Sequence, residues 1–182
     1  ACPKCHQQLH LENKTLKCEN NHCYDISKRG YINLLLNPDK ATNNPGDSKE
    51  SLVARKAYLN KGYYDPILNQ VITCIDEFKH QDDLSILDLG CGEGYYTQGL
   101  KKHFENSDIY GLDISKIAID MATRYRKDVT WLVGNSKNIP ILDHSLDFIC
   151  ALFTVVNQDE LKRALKEDGY IVHVTANNQH LI

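Results

Sequence analysis

The stretch Ile86-Leu87-Asp88-Leu89-Gly90-Cys91-Gly92-Glu93-Gly94-Tyr95-Tyr96 constrains this chain more than any other. Strand-forming residues lead into three glycines at every second position, and an amphipathic pattern follows. The order reads as strand, tight turn and helix start. Glycine is needed where the backbone turns sharply and approaches a ligand, and the helix start aims unpaired N–H groups at the same point. A cofactor site is expected there.

The spacing is Gly-x-Gly-x-Gly, not the Gly-x-Gly-x-x-Gly of dinucleotide sites, and Glu93 would repel a pyrophosphate. Asp88 before the first glycine and Asp113 at the end of the next strand suit a cationic ligand that carries a ribose. The pattern resembles the first motif of S-adenosylmethionine-dependent methyltransferases. The competing reading is a turn that only packs a helix against a sheet.

Predicted strands at 85–89, 108–113, 128–133, 146–153 and 170–175 are interleaved with helices at 94–105, 115–126 and 158–166. That order predicts an α/β fold with a doubly wound, mostly parallel, Rossmann-like sheet. Ligands in such sheets bind at the carboxyl ends of strands, where Gly90, Gly92, Glu93, Asp113 and Asn135 all fall. Asp113 is expected to accept from ribose hydroxyls, because Ser115 is available to cap the next helix. Gly134-Asn135-Ser136 is placed either to contact adenine or to form an ordinary polar loop. Sheets of this class normally continue after the fifth strand, so the C-terminal strands are expected to be missing and an edge left open.

Upstream, Asp47-Ser48-Lys49-Glu50 predicts a helix running to Gly62, and Asp65-Pro66 starts a second with one apolar face. Between them, Tyr63 and Tyr64 read as packing residues on the residues alone.

The N-terminus presents Cys2-Pro3-Lys4-Cys5, then Cys18, then His22-Cys23. Two thiolates on one turn and a second pair on an opposing hairpin close a tetrahedron, which predicts a structural zinc with no open position for water. Spacing leaves the fourth ligand open between His22 and Cys23. The metal would replace a core that so short a module cannot supply. Tyr24-Asp25-Ile26 and residues 31–36 are expected to be strands capping it. The implied organisation is a zinc-binding module at 1–36, a linker with connecting helices at 37–80, and a cofactor-binding domain at 81–182. Residues 1–62 hold ten Lys or Arg against six Asp or Glu in a chain of net charge −3, so the basic part is compatible with touching nucleic acid. Seven cysteines argue against a disulfide framework, and the absence of a long apolar run argues against a membrane span, so a cytoplasmic protein is expected.

In combination, the zinc knuckle, the segment from Gly46 to Tyr64 and Leu87-Asp88-Leu89-Gly90-Cys91-Gly92-Glu93-Gly94-Tyr95-Tyr96-Thr97 resemble the bacterial 23S rRNA (guanine-N1-)-methyltransferases. That family modifies a guanosine in a 23S rRNA hairpin near the peptide exit tunnel, and one branch confers resistance to tylosin-type macrolides. The resemblance implies S-adenosylmethionine as cofactor and Cys2, Cys5, Cys18 and His22 as zinc ligands, with Cys23 a bystander. It assigns cofactor contacts to Tyr64, Gly92, Glu93 and His180, and implies a homodimer whose paired modules form an RNA cleft. No catalytic residue follows from it. The chain departs from the family at Phe153-Thr154-Val155-Val156-Asn157, where a proline-containing turn normally borders the methyl-acceptor pocket. A small-molecule methyltransferase with a structural zinc, and a non-catalytic RNA-binding relative, are the alternatives.

Overall fold

The computed structural model describes residues 1–36 and 46–177, which form two sheets. The smaller is an antiparallel ribbon of β1 (His10–Glu12), β2 (Thr15–Lys17) and β3 (Cys23–Asp25). Asn13, at φ 60°, turns β1 into β2 within the expected Glu12-Asn13-Lys14 turn. Asparagine tolerates that left-handed backbone.

The larger sheet has six parallel strands in the order β4-β7-β6-β5-β8-β9. They are β4 (Ile32–Asn33), β5 (Ser85–Leu89), β6 (Asp108–Asp113), β7 (Thr130–Val133), β8 (Leu146–Leu152) and β9 (Leu165–Val174). Helices α1 (Lys49–Leu59) and α2 (Asp65–Phe78) precede β5, whereas α3 (Tyr95–His103), α4 (Lys116–Ala122) and α5 (Gln158–Ala164) connect later strands. Ser48 caps α1 by accepting from the Ser51 N–H, and Pro66 opens α2.

One expected strand lies elsewhere. Ile32 and Asn33, expected to cap the zinc module, instead pair with Leu132 and Val133 at the edge of the large sheet. The reason is legible in the burial: Tyr31 and Leu35 enter one core and Leu34 enters the other, a two-sided pattern that only a strand covered on both faces satisfies. β9 also starts earlier than expected, directly after α5, and residues 166–169 are absorbed as an irregularity between the pairs Leu146–Leu165 and Phe148–Tyr170.

The period of two along each strand divides the core. Ile86 joins Val71, Ile75, Leu100, Ile119 and Trp131 beneath α2, α3 and α4, while Leu87 and Leu89 join Leu112, Ile149 and Leu161 on the face of α5. No helix connects β7 to β8 among the described residues. The ribbon fills that place, with Leu9 and Tyr24 packed on the α5-side cluster. Both are partly buried, so each contributes less than the roughly 1.5–3 kcal/mol of a fully buried apolar side chain. Polar contacts reinforce the docking: Asn138 Nδ2 donates to Pro3 O at 2.8 Å, and Arg29 pairs with Asp120 at 2.7 Å.

From β5 the chain steps outward to β6 and β7, then returns to β8 on the other side of β5. The switch point is therefore the carboxyl end of β5, where the glycine turn lies.

Candidate cofactor and zinc sites

The turn after β5 is held by its own backbone. Gly90 and Cys91 N–H both donate to Leu112 O, at 2.8 and 3.0 Å, and Gly92 N–H donates to Asp113 Oδ2 at 2.9 Å. Gly92 has φ 56°, and among the described residues a Cβ there would meet Arg55 Nη1 alone, in ordinary contact at 3.7 Å. A bulkier residue would fill the room a ligand needs.

Two cavities flank this turn. The larger, about 330 Å³, is lined by Asp88, Gly92, Glu93 and Tyr96, by Arg55 and Tyr58 of α1, by Tyr64 and by Phe153. The smaller, about 120 Å³, is lined by Asp113, Asn135, Ser136 and Thr154, and Gly90 borders both. The structure thus gathers Tyr64, Asp88, Gly90, Gly92, Glu93, Asp113 and Asn135 around one crevice. His180 lies outside the described residues.

Three acids face this crevice, and each is pushed toward its neutral form. Burial raises the Asp88 carboxyl to about 7, although Thr97 Oγ1 donates to it at 2.5 Å. Burial also raises Glu93, and it raises Asp113 against the opposing effect of N–H donors from Ser115 and Gly92. Ser115 Oγ accepts from Ala118 N–H and so caps α4, which leaves Asp113 free of that duty as expected.

Two buried polar atoms in the larger cavity have no partner among the described residues: Glu93 Oε1 and the Tyr96 hydroxyl. Buried polar groups are rarely left so, and both belong to a cavity wall, so a ligand with donors and positive charge fits them. The amino-acid end of S-adenosylmethionine, with an ammonium and a sulfonium, meets that description. Its ribose and base would extend past Gly90 toward Asp113 and Asn135.

The second site is in the ribbon. Ligand atoms of Cys2, Cys5, Cys18 and His22 lie within 4.8 Å of one another. His22 Nδ1 is 3.4 Å from both Cys2 Sγ and Cys18 Sγ, and Cys5 Sγ is 3.6 Å from Cys18 Sγ. Bonds of about 2.3 Å to sulfur and 2.0 Å to nitrogen give tetrahedral edges of roughly 3.5–3.8 Å, so the set is already spaced for zinc. The exposed Cys23 points away and contacts Asn21 O. His22 is the fourth member.

Known proteins resemble both parts of the chain. Residues 86–169 match the family described as a methyltransferase domain, and residues 1–41 match the one described as "RlmA, N-terminal", a zinc ribbon. A 23S rRNA (guanine(748)-N(1))-methyltransferase of Streptomyces fradiae is 29% identical over 99% of this chain and 64% of its own length. A Bacillus subtilis (strain 168) protein, provisionally named a 23S rRNA (guanine-N(1)-)-methyltransferase, is 30% identical over 100% of this chain and 65% of its own. Over its whole length the chain is thus similar to proteins named 23S rRNA (guanine-N1-)-methyltransferases. It spans just under two thirds of the length of these relatives. Among solved structures, a TehB-like S-adenosylmethionine-dependent methyltransferase of Corynebacterium glutamicum superimposes with a TM-score of 0.52 at 26% identity, covering 68% of this chain and 70% of that one. The Rossmann-like methyltransferase fold with an N-terminal zinc ribbon is therefore established for this chain.

Sequence reasoning missed Arg55 and Tyr58, because the spacing of α1 announces a helix without showing which face meets a turn formed much later in the chain. It also took Tyr64 for packing on the residues alone, whereas Tyr64 lines the larger cavity and meets Phe153 edge-on at 6.2 Å.

Proposed function

We propose that this chain carries the cofactor-binding and RNA-recognising parts of an S-adenosylmethionine-dependent methyltransferase acting on N1 of a guanosine in a 23S rRNA hairpin. The observation that carries the reading is the pair of unpartnered buried atoms, Glu93 Oε1 and Tyr96 Oη, in the cavity beside the glycine turn. In this reading Tyr64, Asp88, Gly90, Gly92, Glu93, Asp113 and Asn135 hold the cofactor, joined by His180. When bound, the cofactor supplies an electrophilic methyl group on a positively charged sulfur.

The chain's own residues orient and receive. Tyr58, Tyr63, Tyr64 and Phe153 form a linked aromatic rim, with centroids 5.2 to 6.2 Å apart, and Tyr63 and Phe153 are exposed. Such a rim suits a base splayed out of an RNA loop, which is recognised by stacking on aromatic faces. Tyr95 is less suited, since its hydroxyl is bound to Asp65. The zinc ribbon is a structural element that grips RNA at a distance from the crevice, and steep salt dependence of binding is expected. The homodimer implied by the resemblance belongs to the same reading and is checked by sedimentation.

A second reading is favoured by a demethylmenaquinone methyltransferase of Thermotoga maritima, 34% identical over 45% of this chain and 36% of its own length. In that reading the acceptor is a small molecule and the zinc is only a staple. Incubation of full-length protein with tritiated S-adenosylmethionine and an unmodified 23S rRNA hairpin separates the two. Label in the RNA, lost when the target guanosine is replaced, supports the first; binding of cofactor with unlabelled RNA would sink it.

A further inference from the structure

The larger cavity is charged unevenly. Asp88 and Glu93 contribute acid, whereas Arg55 is the one cationic side chain among the described residues that line it. Among the described residues its guanidinium is paired with one carboxylate. Nη2 lies 2.5 Å from Asp47 Oδ2, and Nη1 lies 3.7 Å from the point where a Cβ on Gly92 would sit. One arm of the fork is tied back, and the other lies close beside the glycine turn at the cavity wall.

An isolated pair of this kind, about half exposed on both sides, contributes little to stability. Its geometry has a different use. A guanidinium offers five N–H donors in a rigid fork, and a single carboxylate cannot occupy them all. Asp47 thus presets the fork while leaving donors for a second anion. Glu93 and Asp113 both feel the positive charge of Arg55, which places that charge within reach of the acids expected to hold a cation. A zwitterion, with its ammonium at the acids and its carboxylate at the guanidinium, is the ligand end that satisfies both.

We infer that Arg55 recognises the α-carboxylate of the cofactor's amino-acid end, and that Asp47 is a positioning residue for its guanidinium. The assignment rests on the cofactor reading and specifies one subsite within it. The linkage is a charge-assisted hydrogen bond, so its loss costs about ten- to hundredfold in affinity.

The test is calorimetric titration of the zinc-loaded full-length protein with S-adenosylhomocysteine and with its decarboxylated analogue. The wild type binds the first about ten- to hundredfold more tightly than the second. Arg55→Gln loses that factor for S-adenosylhomocysteine and changes little for the analogue. Asp47→Asn shows a smaller loss with the same selectivity. Arg55→Lys, which keeps charge without the fork, recovers part of the loss and provides a second variant should the glutamine protein fold poorly. Equal weakening of both ligands would overturn the assignment, and so would no weakening of either. A wild type that binds neither ligand would overturn the cofactor reading itself, and the Arg55 assignment with it.

Discussion

The indole of Trp131 occupies the space that a side chain at Gly94 would need: a Cβ there would lie 2.6 Å from Cη2 of the ring. Gly94 also has φ 85°, so strain and overlap add. Gly94→Ala is expected to cost about 2–4 kcal/mol. Urea unfolding followed by fluorescence checks it, because Trp131 is the only tryptophan and reports on this turn directly. An unchanged midpoint would show that the turn is slack.

The metal set predicts a clean division between neighbours. Cys23→Ser is expected to retain one zinc per chain by elemental analysis, whereas His22→Ala and Cys5→Ser lose it. Removing zinc with a chelator is expected to unfold the ribbon, since a module of this size lacks a core of its own. Zinc retained in the His22 variant but lost in the Cys23 variant would reverse the ligand assignment.

The buried Asp88 carboxyl makes stability depend on pH in a definite direction. Its native value is about 7, against an ordinary 3.8. Between these values the folded chain keeps a proton that the unfolded chain has released. Stability is therefore fully present below about pH 4, declines as pH rises toward 7, and levels above it; the whole effect is at most roughly 4 kcal/mol. Asp88→Asn is expected to flatten that decline in melting experiments between pH 5 and 8. Glu93 and Asp113 are raised in the same direction, so a weaker slope persists. A wild type that grows more stable over this interval, with the variant unchanged, would refute the account.

Thr154 sits against the same turn, its Oγ1 2.5 Å from where a Cβ on Gly90 would lie. It stands beside the residue that borders both cavities. Thr154→Ala is expected to join them into one channel and tighten S-adenosylhomocysteine binding roughly fivefold, about 1 kcal/mol. Thr154→Phe is expected to weaken it. Affinity that falls in the alanine variant would mean that the hydroxyl is a ligand contact and not a wedge.

Much of this arrangement was legible in the chain because it is local. Residues 86–96 encode strand, turn and helix through periodicity and glycine spacing, and Cys2, Cys5 and Cys18 announce a metal through theirs. The rest depended on chain segments that meet only after folding. His22 and Cys23 are adjacent, so only the path of the knuckle separates ligand from bystander. β4 was legible as a strand, but its partner β7 comes much later in the chain, so its place in the large sheet was not. Arg55 and the orphaned oxygen of Glu93 acquire meaning from burial and from a cavity that closes across distant elements, neither of which is written at any one position.

The seam between Ile32–Asn33 and β7 has a mechanical consequence. A knuckle stitched into the central sheet cannot swing like a bead on a string; with the Pro3–Asn138 and Arg29–Asp120 contacts it is set at a fixed span from the glycine turn. The molecule is in that sense a ruler. A ligand large enough to touch both ends would have to present its two contact points at that distance.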